Sequence, residues 1–439
     1  MRKPKVELTD EIKALEKQSD PAWITIIRDY KLITPLFGGG VVAGKVDSIT
    51  PIRGTEVRGH LRFWWRATQA GRFGNNLEKL KKEEDRIWGA ASAPSSTSLT
   101  ILDATRGNPV KVRANVRGQM KEVDIGDPRS PFGYVAFPLR GDENNKPGQV
   151  MENITFRMRL TFPREIQDDM KAALWAWETF GGVGARTRRG FGALQCIGCD
   201  LTGFEQSAAH EWMWKYSCET APNEIFADLQ NFVPVGEFND KLSHLSHRSN
   251  SIARTGVRDD ATTSWLDLIN AFKSFRQSRA GARRFGRSHW PEPDAIRDLT
   301  GQSLRQRGHD IPVYNPPIYK FPRASFGLPI IFEFKRTDSH PTDPNKDPRK
   351  TELKGLEHDR LASPLIIRPL ACLNEQFIGL AMVLDGPRIP PGGLKLDNSP
   401  KNPAKGSETL TNNEAGAIAS RVNSYNGNPD ILQAFLDSL

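Results

Sequence analysis

Apolar and polar positions change rhythm several times along the first half of this chain. WITIIRDYKLIT, from Trp23 to Thr34, is rich in β-branched and aromatic residues and predicts a strand. From Glu56 to Gly71 the rhythm is helical: Val57, Leu61, Trp64 and Thr68 can pack inward, and Gly71 ends the helix. A polar helix, Asn76 to Trp88, follows. Leu99–Asp103, Val110–Val116 and Tyr134–Leu139 are short strand candidates separated by Gly, Pro and Asn. Met151 to Phe162 alternates as a half-buried strand does. Pro163 opens a helix to Phe180 with Ala172, Ala173, Trp175 and Ala176 inside it, and Gly181 to Leu194 leads into a last strand.

Strand, helix, strands, helix, strand is the split βαβ order of a ferredoxin-like sandwich, the scaffold of the common RNA-recognition module. The expected fold class is α+β: two ferredoxin-like (RRM-like) domains with insertions, the second divergent. The first takes residues 1–205 and contains the glycine-rich loop. The second, 206–439, carries helical and loop insertions. Its expected helices are His210–Tyr216, Thr262–Ala280 and Asn428–Leu439. Its expected strands are Leu328–Lys335, Ser363–Leu370 and Glu375–Leu384, with loops at Asp338–Lys350 and Pro387–Lys405. No short tandem repeat is visible.

Charge narrows the choice of partner. The 439 residues carry a net charge of +9, and 22 Phe with 10 Trp supply core material despite a hydrophobic fraction of 38%. Residues 1–200 hold 32 Lys and Arg against 24 acids, and residues 250–330 hold 13 against 7, so the excess is clustered. Clustering points to a polyanion. No apolar run is long enough for a membrane span, and the N-terminus lacks the apolar core of a secretory signal. Four Cys make no disulfide framework. A cytoplasmic setting without a membrane partner is expected.

Candidate chemistry concentrates in two glycine segments. In the first, Gly38-Gly39-Gly40 precedes a polar loop with Lys45, Asp47 and Arg53, and the next helix carries Arg58, Arg62 and Arg66. Four-residue spacing sets those arginines on one face, with Trp65 at its border. A row of guanidinium groups beside a flexible backbone suits a phosphate chain. Gly39, Gly44 and Lys45 mimic a P-loop, but Val46 stands where Ser or Thr would hold magnesium, so nucleotide hydrolysis is disfavoured. The second segment, GGVGARTRRGFG, offers Gly182, Gly184, Arg186, Arg188, Arg189 and Phe191. Its amides can cradle phosphate, its arginines add charge, and Phe191 can stack on a base. The competing reading is a solvated turn; three arginines inside the turn favour RNA contact.

A further cluster, Arg279, Arg283, Arg284 and Arg287, interleaves with Phe285 and Trp290, as in single-strand binding or as in a basic helix end with two buried aromatics. His60 and Asp47 are candidates for acid–base work, but no catalytic partner stands nearby. A packed or phosphate-contacting histidine and a turn aspartate are the favoured readings. Cys196 and Cys199, with Cys218, His244 and His247, make a loose zinc pattern; buried thiols are favoured. No cofactor or metal is expected.

TPLFGGG, TPIRGTEVRGHLRFWWRA and GGVGARTRRGFG resemble the RAMP superfamily of CRISPR effector complexes. More narrowly they resemble the family of first-numbered subunits of the type III-B Cmr module. GRSHWPEPDAIR, FPRASFGLPIIF and RLASPLIIRPL, within 286–370, resemble the same family, so the likeness spreads over most of the chain. The resemblance implies two ferredoxin-like domains and a place in a crRNA-guided ribonucleoprotein of antiviral defence. There such a subunit sits near the crRNA 3′ end, beside backbone and 3′-end RAMP subunits, and helps capture target RNA. It implies a non-catalytic, RNA-binding role, with cleavage left to the backbone subunit. Gly181–Gly192 and the Arg58/Arg62 helix then become contacts to crRNA or target RNA, with His60 among them and Lys45 and Arg53 as weaker carry-overs. One rival is a metal-independent endoribonuclease that processes CRISPR precursor RNA through His60. Another is a protein-interaction subunit with incidental basic patches.

Overall fold

The computed structural model describes residues 22–40, 44–141, 147–202, 206–279, 287–334 and 343–439. Its first unit runs β1 (Trp23–Leu32), α1 (Gly54–Gln69), α2 (Leu77–Trp88), β2 (Ser98–Ala104), β3 (Thr155–Pro163), α3 (Gln167–Phe180) and β4 (Leu194–Thr202). The sheet order is β2-β3-β1-β4, antiparallel at every pairing. Strict alternation in β1 and β3 turns Ile24, Ile26, Tyr30, Leu32, Phe156, Met158, Leu160 and Phe162 to one face. Val57, Leu61, Trp64 and Thr68 of α1 are buried, as their spacing predicts. Trp65, expected at the arginine border, is fully buried as well, and its indole donates to Asp169 at 2.6 Å.

One strand expected within this unit fails, and another forms apart from the main sheet. Tyr134–Leu139 is no strand: it is a buried turn ending in the short 3-10 helix Phe137–Leu139. The strand at Lys111–Val116 joins no large sheet. It pairs with Gln119–Asp124 as a separate hairpin, through a two-residue turn in which Arg117 and Gly118 both have positive φ, 54° and 88°.

The second unit contains α4 (Ala221–Phe232), β5 (Ile252–Arg258), α5 (Ala261–Arg276), α6 (Glu292–Thr300), β6 (Leu365–Ala371), β7 (Phe377–Val383), α7 (Asn412–Ala419) and α8 (Ile431–Asp437). Its sheet is β6-β7-β5, again antiparallel. Six of seven positions in β6 and in β7 are buried, so both faces are covered, one of them by α5. A smaller sheet of Ile330–Phe332, Thr351–Gly355 and Leu394–Leu396 has its own core, with Ile296, Phe321 and Leu353. Its last strand lies in the stretch 387–405 expected to be loop. In place of a helix at 210–216 the chain makes a 3-10 segment, Gln206–Trp212. Residues 335–342 of the expected strand and loop there lie outside the described residues.

The two units share one core: Ile252, Ile366 and Ile378 cluster with Ile24, Tyr30 and Phe180. Its polar fastening is Arg368 of β6, fully buried. One of its terminal nitrogens donates to the carbonyls of Glu178 (2.8 Å) and Gly181 (2.7 Å), the other to that of Leu194 (2.7 Å). The first two are orphan carbonyls where α3 ends, the negative end of that helix; the third opens β4. Burial pushes the Arg368 guanidinium down to about 9. Next to it Glu178 bonds Arg28 and Tyr30 at 2.7 Å each, and burial holds its carboxyl above the usual range. Arg368→Met keeps the stem and leaves the carbonyls unpaired, so a loss of about 3 kcal/mol in urea unfolding is expected. An unchanged midpoint would place the fastening elsewhere.

Candidate nucleic-acid interface

The two glycine segments meet. Ala185 N–H donates to Phe37 O at 2.7 Å, and Gly192 N–H to Pro35 O at 2.9 Å. This contact demands glycine. At Gly192 (φ +61°) a Cβ would lie 2.0 Å from Val183 O, and at Gly184 (φ +82°) it would lie 2.6 Å from Phe37 O. The first turn of α1 completes the junction. Glu56 accepts the Gly184 N–H at 2.6 Å, and its other oxygen is buried without a partner. His60 Nε2 stands 3.8 Å from the same carboxylate, its side chain 25% exposed.

An acid therefore occupies the amide expected to cradle phosphate. Other amides of the loop are internally paired too: Val183 to Gly192 O, Arg189 to Arg186 O, and Gly190 to Thr187 O. Gly182 is buried, and a Cβ there would lie 2.7 Å from Gly192 O.

Three of the predicted contacts on this loop point inward. Phe191 is fully buried, packed between Phe37 at 5.6 Å and Trp265 at 4.9 Å, so it cannot stack on a base. Arg189 donates to Leu365 O (2.8 Å) and Phe326 O (3.2 Å), and Arg188 to Ser363 O. Burial pushes Arg188 down to about 10; burial, then Arg186 and Arg276 nearby, push Arg189 down to about 9. Both act as struts to the second unit. The reason is topological: the loop sits between two units, and the surface that covers it comes from residues 265–365. Arg186 differs. It has left-handed backbone (φ 59°), and its guanidinium lies 4.9 Å from the centre of the Phe137 ring.

The arginine row on α1 is divided. Arg62 pairs with Glu84 and, at 3.0 Å, with Asp85, and also donates to Gly89 O. Arg66 pairs with the same Glu84. The face expected to bind phosphate is thus occupied in part by α2. Arg58 is half-exposed, and among the described residues its side chain has no ion pair or hydrogen bond; the same holds for the side chain of exposed Lys45. Arg53 is half-buried near Asp47. Asp47 accepts the N–H groups of Ile49 (2.8 Å) and Thr50 (2.9 Å), a turn role that holds its carboxyl below the usual range.

In the second basic region, Arg283, Arg284 and Phe285 lie outside the described residues. Arg287 donates to Asp294 at 2.9 Å, and Trp290 is 1% exposed, so Trp290 is a buried aromatic as the second reading has it. Arg297 links Asp294 (2.9 Å) to Asp347 (2.8 Å), and Asp347 meets His309 at 2.7 Å. Cys196 and Cys199 sit beside Arg28, and Cys218 is buried. His244 stacks on Phe238 at 4.2 Å. Among the described residues no group of three or more His, Cys, Asp or Glu could hold a metal ion, and no helix is long and apolar enough to cross a membrane.

Sequence reasoning missed Phe137, half-exposed on a turn that the residue pattern presents as a strand. Arg186, Phe137, Lys45, Arg53, Arg58 and His60 belong to or adjoin the paired glycine loops. They bring cations and one exposed aromatic to the edge of these loops. The open face of the first sheet offers no such combination at its centre. Its central positions carry Thr25, Ile27 and Asp29 rather than aromatics, and Asp29 takes Arg157 in a two-point pair at 2.7 and 2.9 Å.

This loop pairing lies in the part of the chain that places it in a known class. Residues 29–195 match the model of the RAMP superfamily. Relatives narrow the class. The chain is 23% identical over 282 residues to CRISPR system Cmr subunit Cmr1-1 of Pyrococcus furiosus, covering 63% of this chain and 70% of that one. It is 27% identical over 179 residues to Cmr1-2 of the same organism, covering 38% and 93%. Over these stretches the chain is similar to the RAMP superfamily and to Cmr1 subunits. Among solved structures, Cmr1 from Pyrococcus furiosus in its apo form shares 18% identity over 84% of this chain and 89% of that one, with a TM-score of 0.47. A chain in the type III-B Cmr-beta complex bound to cognate target RNA shares 14% over 94% and 99%, with a TM-score of 0.45.

The division of the α1 row is measurable. Arg62→Ala should cost about 1–2 kcal/mol in thermal unfolding, because Glu84 loses a partner, whereas Arg58→Ala should stay within about 0.5 kcal/mol of the parent. Equal effects would contradict the division. A second expectation concerns acid. Burial opposes ionisation of Asp347, but the hydrogen bond from Arg297 and then His309 outweigh it and hold the carboxyl below its usual range. Its stabilisation is complete above the unfolded value of about 3.9 and is lost as pH falls through the folded one. Asp347→Asn should therefore lower stability at neutral pH and flatten the acid limb of a pH–melting profile; a parallel profile would refute this.

Proposed function

We propose that this chain is a non-catalytic RNA-binding subunit of a type III-B Cmr complex. It would lie near the crRNA 3′ end and help capture target RNA alongside backbone and 3′-end RAMP subunits. One observation carries the RNA reading. The two glycine loops lock together in the part that matches the RAMP model, and the cations left without acid partners there, Lys45 and Arg58, stand at their edge with Arg186. Phosphate contacts at these residues hold the strand, and guide–target pairing supplies sequence. Arg188, Arg189 and Arg62 support the site from behind.

The proposed architecture is two ferredoxin-like domains, 1–205 and 206–439. In support, the first sheet has the order second-third-first-fourth expected of that fold, and the second sheet repeats second-third-first. The setting proposed is cytoplasmic.

A second reading, precursor-processing endoribonuclease, draws on His60 beside Glu56 at 3.8 Å. His60→Ala should leave the fate of repeat RNA in EDTA unchanged under the first reading and abolish cleavage under the second.

The binding reading is tested with guide-length single-stranded RNA titrated across salt. Lys45→Ala combined with Arg58→Ala should weaken binding about tenfold at physiological salt and reduce the salt slope by about two. Unchanged affinity and slope would exclude these residues as the phosphate-binding edge.

A further inference from the structure

Phosphate contacts hold a strand but do not grip its bases. Phe191, the aromatic that the sequence offers for that task, is interior. Phe137 is not. It is 50% exposed, and among the described residues no other phenylalanine is exposed.

A mobile turn does not account for this exposure. Ala136 is fully buried and Leu139 is 2% exposed, both in a local core with Phe132, Val135 and Phe191, and Pro138 stiffens the turn between them. The ring is thus presented outward from a fixed base. Arg186 lies 4.9 Å from the ring centre, and its Nε has no hydrogen-bond partner, so aromatic rather than acidic contact holds this guanidinium. Its position is set by the locked loop through the Ala185–Phe37 hydrogen bond of 2.7 Å. The loop that carries Lys45 approaches this turn, which Arg140 follows. Gly148 N–H donates to Leu139 O at 3.0 Å, and a Cβ on Gly148 would lie 3.5 Å from Gly44 O. The residues just before Arg140 and Lys45 therefore meet at Gly148.

A rigid, half-exposed ring among cations is what an unpaired base needs: a π-face, with positive charge nearby for the adjoining phosphates. We propose that Phe137 is a stacking platform for an unpaired nucleobase of single-stranded RNA, with Arg186 holding the ring and supplying charge beside it. The site rests on the RNA-binding reading above and adds to it the class of group recognised. Stacking is tolerant of base identity, so the platform would add affinity without adding sequence preference.

Fluorescence anisotropy with two labelled oligomers of equal length separates the cases: an oligouridylate, and an abasic ribose-phosphate chain that keeps the charges and lacks the bases. The native chain should bind the oligouridylate about tenfold more tightly. Phe137→Ala should remove that preference while leaving the abasic affinity and the salt slope unchanged, and Phe137→Trp should retain it. A preference undiminished in Phe137→Ala would overturn the platform and leave the RNA reading standing. If the native chain bound neither oligomer, the RNA reading would fall and the platform with it.

Discussion

The structure depends on satisfying the main-chain carbonyls at the end of α3. A helix end buried inside a protein is costly unless its last acceptors find donors. Here the donors come from Arg368, on a strand of the other unit. One planar guanidinium reaches both sides of the second glycine loop, through Gly181 before it and Leu194 after it. Loop, helix end and second sheet are thereby fixed together. The pairing of the two glycine loops, and the cations at their edge, follow from where that arginine holds the chain.

Periodicity made the larger elements legible. β1, α1, β3 and α3 have long, clean patterns, and spacing selects most of their inward residues, though not Trp65. The shorter elements of the second unit were not. β5 spans IARTGVR, whose face is set only by packing against β7. α6 begins beside Pro291 and Pro293, which read as loop from residues alone. The helix α7 announces itself only through a reciprocal cap of Thr411 and Glu414, a signal that needs no hydrophobic run and was passed over.

The candidate site was legible in composition and not in direction. Glycine and arginine together mark a place where two backbones meet closely, with amides expected to face phosphate paired inside the protein. What residue types could not tell was which guanidinium groups find partners inside the fold. Arg62 meets Glu84, and Arg189 meets carbonyls at 326 and 365, through contacts that no local pattern encodes. A net charge of +9 therefore overstates the free positive surface, because several arginines serve as internal donors. Phe137 was hidden for the opposite reason: its neighbours have the composition of a strand, and only the turn geometry turns its ring outward.

The joint between the units has a consequence for its sequence. Arg188, Arg189 and Arg368 bond to main-chain carbonyls, and every residue type has one. The side chains at 326, 363, 365, 178, 181 and 194 are not what these arginines recognise, except where other contacts such as Glu178 with Arg28 intervene. Such a joint requires long donors, two arginines from the first unit and one from the second, meeting main-chain acceptors across it. The donors themselves therefore place no demand on the acceptor side chains, whose identity is limited by core packing at positions such as Phe326 and Leu365.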